Sequence, residues 1–123
     1  MIIIGADLSI TSSAISFLKN NELLIYNYTN KKSNYKWIKN TNHLITYLFH
    51  ETNTLDNYTD TEVFKLNLYD NITENIKNDI QNITDNDETY IYIEGYAYSA
   101  NGKIIDLVTF STLLRYKLSK IPN

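Results

Sequence analysis

Hydrophobic and polar positions alternate or cluster along this chain in a way that separates strands from helices. Ile2-Ile3-Ile4 opens an apolar run that ends at Asp7. β-Branched residues suit a pleated surface, so the pattern predicts a strand buried on both faces. A hydroxyl-rich turn, Ser9 to Ser13, leads into a second strand, Ala14–Leu18. Asn20-Asn21 reads as a tight turn before a third strand, Glu22–Tyr28. Thr29–Asn42 is polar and basic, with Tyr35 and Trp37 set among Lys31, Lys32, Lys36 and Lys39. Lysines neutralise phosphates and aromatics stack on bases, but the simpler reading is a loop whose Trp37 packs at the domain edge. His43–His50 is apolar enough for a short helix of unassigned role, and Glu51–Asp60 reads as a loop.

The second half switches period. Leu68 or Tyr69, Ile72, Ile76, Ile80 and Ile83 recur at the spacing of one helical face, predicting a helix over Thr61–Ile83 whose acids face solvent. Its many Asn and Ile residues are poor helix formers, so packing must hold it. Turn residues Thr84–Glu88 follow. Thr89–Glu94 is then a fourth strand, and the helical crossover before it predicts parallel pairing. Gly95–Lys103 reads as a loop with two glycines. Ile104–Lys120 reads as a second helix with Leu107, Phe110, Leu114 and Leu118 on the sheet side, broken by Pro122. With no repeat or linker, residues 1–123 read as one α/β domain: strands 1–3 antiparallel, strand 4 parallel to strand 1, helices packed on the sheet.

Two of these strands end in carboxylates, Asp7 and Glu94. A strand-end Asp is explained equally well as a turn acceptor. The second acid changes the picture. If the two strands lie parallel and adjacent, the carboxylates meet about 4.8 Å apart at one end of the sheet. Such a pair repels unless a cation lies between, which suits a hard ion such as Mg²⁺ or Mn²⁺.

The segments IIIGADLSITSSAISFL and YIYIEGYAYSANGKIIDLVTFSTLLRYKL resemble the RuvC-type Holliday junction resolvases of the ribonuclease H-like superfamily, particularly phage and viral members. The resemblance lies at both ends of the chain and leaves the middle third unassigned. It implies a metal-dependent endonuclease that resolves four-way DNA junctions in recombination, as a homodimer, using Mg²⁺ or Mn²⁺. Asp7 and Glu94 would be catalytic and metal-binding, with Asp7 bridging two ions and Glu94 holding one. Ser9, Thr11, Tyr96, Tyr98, Ser99, Lys103, Arg115 and Lys117 would contact DNA. The family adds two more acids from a final strand and helix. Residues through Asn123 contain neither element, so the expectation is a fragment, a decayed copy or a form completed by another chain. Asp106 reads as a helix cap, not as a replacement ligand.

Composition narrows the alternatives. Forty-three per cent hydrophobic and 20% charged residues in a 123-residue chain allow one domain with a modest core. The chain has no cysteine, and neither His43 nor His50 belongs to a ligand pattern, so a zinc centre is not expected. No signal segment or membrane-length apolar run is present, which predicts an intracellular protein without a membrane partner. The net charge of −3 conceals an uneven distribution. Five lysines stand against Asp7 and Glu22 in residues 1–50, ten acids against two lysines in 51–88, and four cations against Asp106 in 101–123. Both carboxylate-bearing ends therefore have a basic setting compatible with DNA. Rival readings are a ribonuclease H-like RNA-processing nuclease and an inactive DNA-binding or scaffold module of the same fold. An actin-like ATPase is disfavoured because only three glycines and one short domain are available.

Overall fold

The computed structural model describes residues 1–9, 12–30, 45–49, 58–94 and 104–122. Five strands and two helices follow in the order β1 (Ile2–Asp7), β2 (Ser12–Lys19), β3 (Glu22–Thr29), β4 (Ile45–Phe49), α1 (Tyr58–Thr84), β5 (Thr89–Ile93) and α2 (Ile104–Leu118). They form one mixed sheet in the order β4-β3-β2-β1-β5. β1, β2 and β3 are an antiparallel meander, and β5 lies parallel to β1 as the helical crossover requires. The apolar segment expected to form a short helix is instead β4, parallel to β3. A five-residue apolar run fits either element, and the open edge of β3 supplied a ladder. α1 also begins within the segment read as a loop, at Tyr58.

Sheet alternation decides the core. Ile2, Ile4 and Ala6 of β1 and Ile15 and Phe17 of β2 face the helices and are buried. They meet Tyr69, Ile72, Ile76 and Ile80 of α1 and Phe110 and Leu114 of α2 in a single cluster. Ring edges lock two contacts, Tyr69 against Phe110 at 5.7 Å and Phe17 against Tyr26 at 5.5 Å. The expectation that β1 is buried on both faces fails. Ile3 is 37% exposed, and Leu18, Leu23, Tyr90 and Tyr92 on the same side are also exposed.

Local chemistry closes the elements. Asn20 and Asn21 take φ of 53° and 65°, the left-handed pair that a two-residue hairpin turn demands. Asp85, at φ 50°, ends α1, and its amide returns to the Gln81 carbonyl at 2.9 Å. α1 has no cation in its last turn, but Lys19 of β2 supplies one by donating to the Ile83 carbonyl at 2.9 Å. Thr73 and Thr84 are buried in α1 because their hydroxyls donate to the Tyr69 and Ile80 carbonyls. Three of the acids of α1, while open to solvent, also hold groups from other elements. Asp79 accepts from the Tyr28 hydroxyl at 2.6 Å, and Asp70 and Glu74 hold Lys117 of α2.

Ile4→Ala should cost about 2–5 kcal/mol by cavity formation, and Ile3→Ala well under half of that, in paired urea unfolding experiments. Tyr28 gives a pH dependence. Burial first, then the Asp79 carboxylate, pushes its phenol far above the ordinary 10.0. Above pH 10 the unfolded chain releases this proton while the folded chain keeps it, so stability falls as pH rises. By pH 11 this one group should account for about 1.4 kcal/mol of loss. The slope between pH 9 and 11 should be shallower by that amount in Tyr28→Phe.

Candidate functional site

Asp7 is the last residue of β1, and Glu94 directly follows β5. The parallel register runs from Ile2 opposite Thr89 to Ala6 opposite Ile93. Asp7 and Glu94 are therefore the next residues of two adjacent strands, at the same end of the sheet. Both are exposed. The apolar pattern makes Glu94 the last residue of this strand, whereas the observed strand ends one residue earlier, at Ile93.

A cation from α2 reaches the main chain where β5 ends. Arg115 of α2 donates from Nη2 to the Glu94 carbonyl oxygen at 3.1 Å and from Nε to the Ser111 hydroxyl at 3.2 Å. Ser111 is buried, so it anchors the guanidinium from below. Arg115 thus pins the chain where β5 ends.

The remaining expected residues divide. Ser9 organises the β1–β2 turn: its amide donates to the Ser13 hydroxyl at 3.0 Å, Ser13 donates back to the Ser9 carbonyl at 2.7 Å, and the Ser12 amide donates to the Ser9 hydroxyl at 3.3 Å. Asn27 of β3 closes this unit by donating to the Ser12 hydroxyl and the Ser13 carbonyl, both at 3.1 Å. Lys117 is committed to α1. Its ammonium lies 2.7 Å from the Asp70 carboxylate and 3.1 Å from that of Glu74, with only 12% of the side chain exposed. It joins the helices and is not brought to the acid pair. Thr11, Tyr96, Tyr98, Ser99 and Lys103 lie outside the described residues, as do His43, His50 and Trp37. Asp106 sits in the first turn of α2 and pairs with Lys65 at 3.4 Å.

Sequence reasoning missed the surface that adjoins Asp7. A cleft of about 370 Å³ opens on the sheet face away from the helices, bounded by Gly5, Asp7, Ala14, Ser16, Ile25 and Tyr92. Single-strand patterns carry no trace of it, because its walls come from four different strands.

The donor set bears on which metal could be held. Among the described residues, no three His, Cys, Asp or Glu side chains form a closed ligand cluster. Two exposed carboxylates fit one hard cation that keeps part of its water shell and takes further oxygens from a phosphate, which is the usual habit of Mg²⁺. Comparison with protein-family models, with curated proteins and with solved structures finds no match to this chain. No described helix is long and apolar enough to cross a membrane.

The floor of the cleft yields a stability test. A Cβ on Gly5 would stand 3.0 Å from the Ser16 Oγ, which now donates to the Gly5 carbonyl at 3.3 Å. Gly5→Ala alone should be close to neutral, since the strand gain offsets a displaced serine. In a Ser16→Ala background it should stabilise by about 0.5–1 kcal/mol, measured as a double-mutant cycle in denaturant.

Proposed function

We propose that this chain is a ribonuclease H-like nuclease domain that hydrolyses phosphodiesters in four-way DNA junctions, with Mg²⁺ or Mn²⁺ held by Asp7 and Glu94. The observation that carries this reading is the placement of those two carboxylates at consecutive register ends of adjacent parallel strands. The antiparallel β1–β3 meander with β5 parallel to β1 supports the fold assignment, with β4 an added strand beside β3. The junction as substrate and the homodimer, whose two sites would make paired cuts, rest on the sequence resemblance.

A bound hard cation supplies charge neutralisation at the phosphate and lowers the pKa of its water. The chain's own groups do the rest. Asp7 and Glu94 would hold the ion through oxygen, and Arg115 holds the Glu94 main chain in place. The Ser9–Ser13 hydrogen bonds fix the turn on the other side of Asp7. A second reading is an inactive DNA-binding module of the same fold. It is favoured by one observation: among the described residues, no third ligand joins the pair.

Cleavage of a labelled four-way junction, against duplex, single-stranded and RNA–DNA hybrid controls, separates the readings. The nuclease reading expects metal-dependent paired nicks in the junction, reduced at least about a hundredfold by Asp7→Asn or Glu94→Gln. Junction retention on a gel without cleavage in either metal would sink it and leave the binding module. Cleavage confined to the hybrid or to RNA would move the assignment to an RNA-processing nuclease.

A further inference from the structure

The strand registers place side chains in rows across the open face of the sheet. Tyr92, Gly5, Ser16 and Ile25 form one row over β5, β1, β2 and β3. Two residues toward the start of β1, the row is Tyr90, Ile3, Leu18 and Leu23. Two residues toward its end, Asp7, Ala14 and Asn27 continue, with Glu94 beyond β5. The middle row has large side chains at its ends and almost none at its centre. The row below is bulky throughout, and the row above has Ala14 beside Asp7. The cleft of about 370 Å³ is lined by Tyr92 and Ile25 at the two ends of the middle row, by Gly5 and Ser16 between them, and by Asp7 and Ala14 on the side of the strand end.

We propose that this groove is a subsite for one unpaired nucleobase of the nucleic-acid strand whose phosphate lies at Asp7 and Glu94. The inference rests on the carboxylate pair binding a phosphate through a cation. Three features select this occupant. Tyr92 is 66% exposed, a flat aromatic wall presented to solvent beside a floor without bulk. Aromatics on an open sheet face stack single-stranded bases, because every base has an apolar π-face. The level of Tyr92 is two residues from that of Asp7, about 6.6 Å along the strand, so a nucleotide held by its phosphate projects its base into the groove. An extended peptide has less to gain here, since the backbone groups of a sheet face are already used in the ladder. A base paired within a duplex has its faces covered by its stacked neighbours, so the subsite selects a nucleotide released from its partner.

The test uses the full chain and a short single-stranded DNA oligonucleotide carrying one fluorescent purine analogue, titrated in Ca²⁺ and in chelator. Binding should be cation-dependent and should quench the analogue. Tyr92→Ala should weaken binding about tenfold and abolish the quenching, while Tyr92→Phe retains both. Because Tyr92 is mostly exposed, the Ala variant should keep its far-ultraviolet circular dichroism and unfolding midpoint. Cation-dependent binding that neither quenches nor responds to Tyr92→Ala would overturn the base subsite and leave the carboxylate reading intact. Quenching that persists in chelator and in Asp7→Asn would do the reverse, keeping the base in the groove but removing the link to the acids. No binding of the oligonucleotide under any condition would overturn the subsite, with junction cleavage deciding the nuclease reading independently.

Discussion

β1 is the element on which the other strands and both helices depend. It is hydrogen-bonded on both edges, antiparallel to β2 and parallel to β5, and its alternate residues serve opposite purposes. Ile2, Ile4 and Ala6 fill the core, while Ile3, Gly5 and Asp7 line the open face. Strand period is two, so a slip of one residue would exchange these sets, exposing isoleucines and burying a carboxylate. The cost of that exchange holds the register, and the register holds Asp7 level with the residue after β5. The candidate site is thus a by-product of core burial, set by hydrophobic energy well before any ligand contributes.

The helices reinforce one side only. α1 is rich in Asn, Ile, Thr and Asp, which are modest helix formers, yet its apolar stripe from Tyr69 to Ile80 is buried against β1, β2 and α2. Side chains from elsewhere complete it: Lys19 at its C-terminal carbonyls, Lys117 at Asp70 and Glu74, and Tyr28 at Asp79. Each joins α1 to a segment distant in sequence, so a helix of poor intrinsic propensity is kept by tertiary contacts. Arg115 and Lys117, only two residues apart on α2, take separate duties as a result. One reaches the end of β5 and the other is consumed in the helix interface.

The open face is apolar where a solvated sheet would normally be polar. Ile3, Leu18, Leu23, Tyr90 and Tyr92 share it with the carboxylate end. An apolar surface that runs up to two exposed acids suits a ligand with both a flat apolar part and an anionic part bridged by a cation, which is the chemistry of a nucleotide. Five of the ten acids in residues 51–88 lie in α1, on the opposite side of the sheet from this face, so their charge bears less on such a ligand than the net value of −3 suggests.

Much of this was legible in the chain itself. The strand character of β1–β3 and β5, the four-residue spacing in α1 and the Asn20-Asn21 turn are local, because each is carried by neighbouring residues of a single segment. Asp7 and Glu94 stood out for the same reason, as acids terminating apolar runs. What the sequence did not carry was lateral. His43–His50 could not reveal that Ile45–Phe49 is a strand, since an apolar run that short takes its form from the neighbour it pairs with. Three successive isoleucines could not say that the middle one faces solvent. The groove needed the register of four strands at once, and the partners of Lys117 and Arg115 lie 47 and 21 residues away. Side chains from different elements meet only after the hydrophobic core has fixed how those elements lie, and that is where the tertiary structure alone decided the outcome.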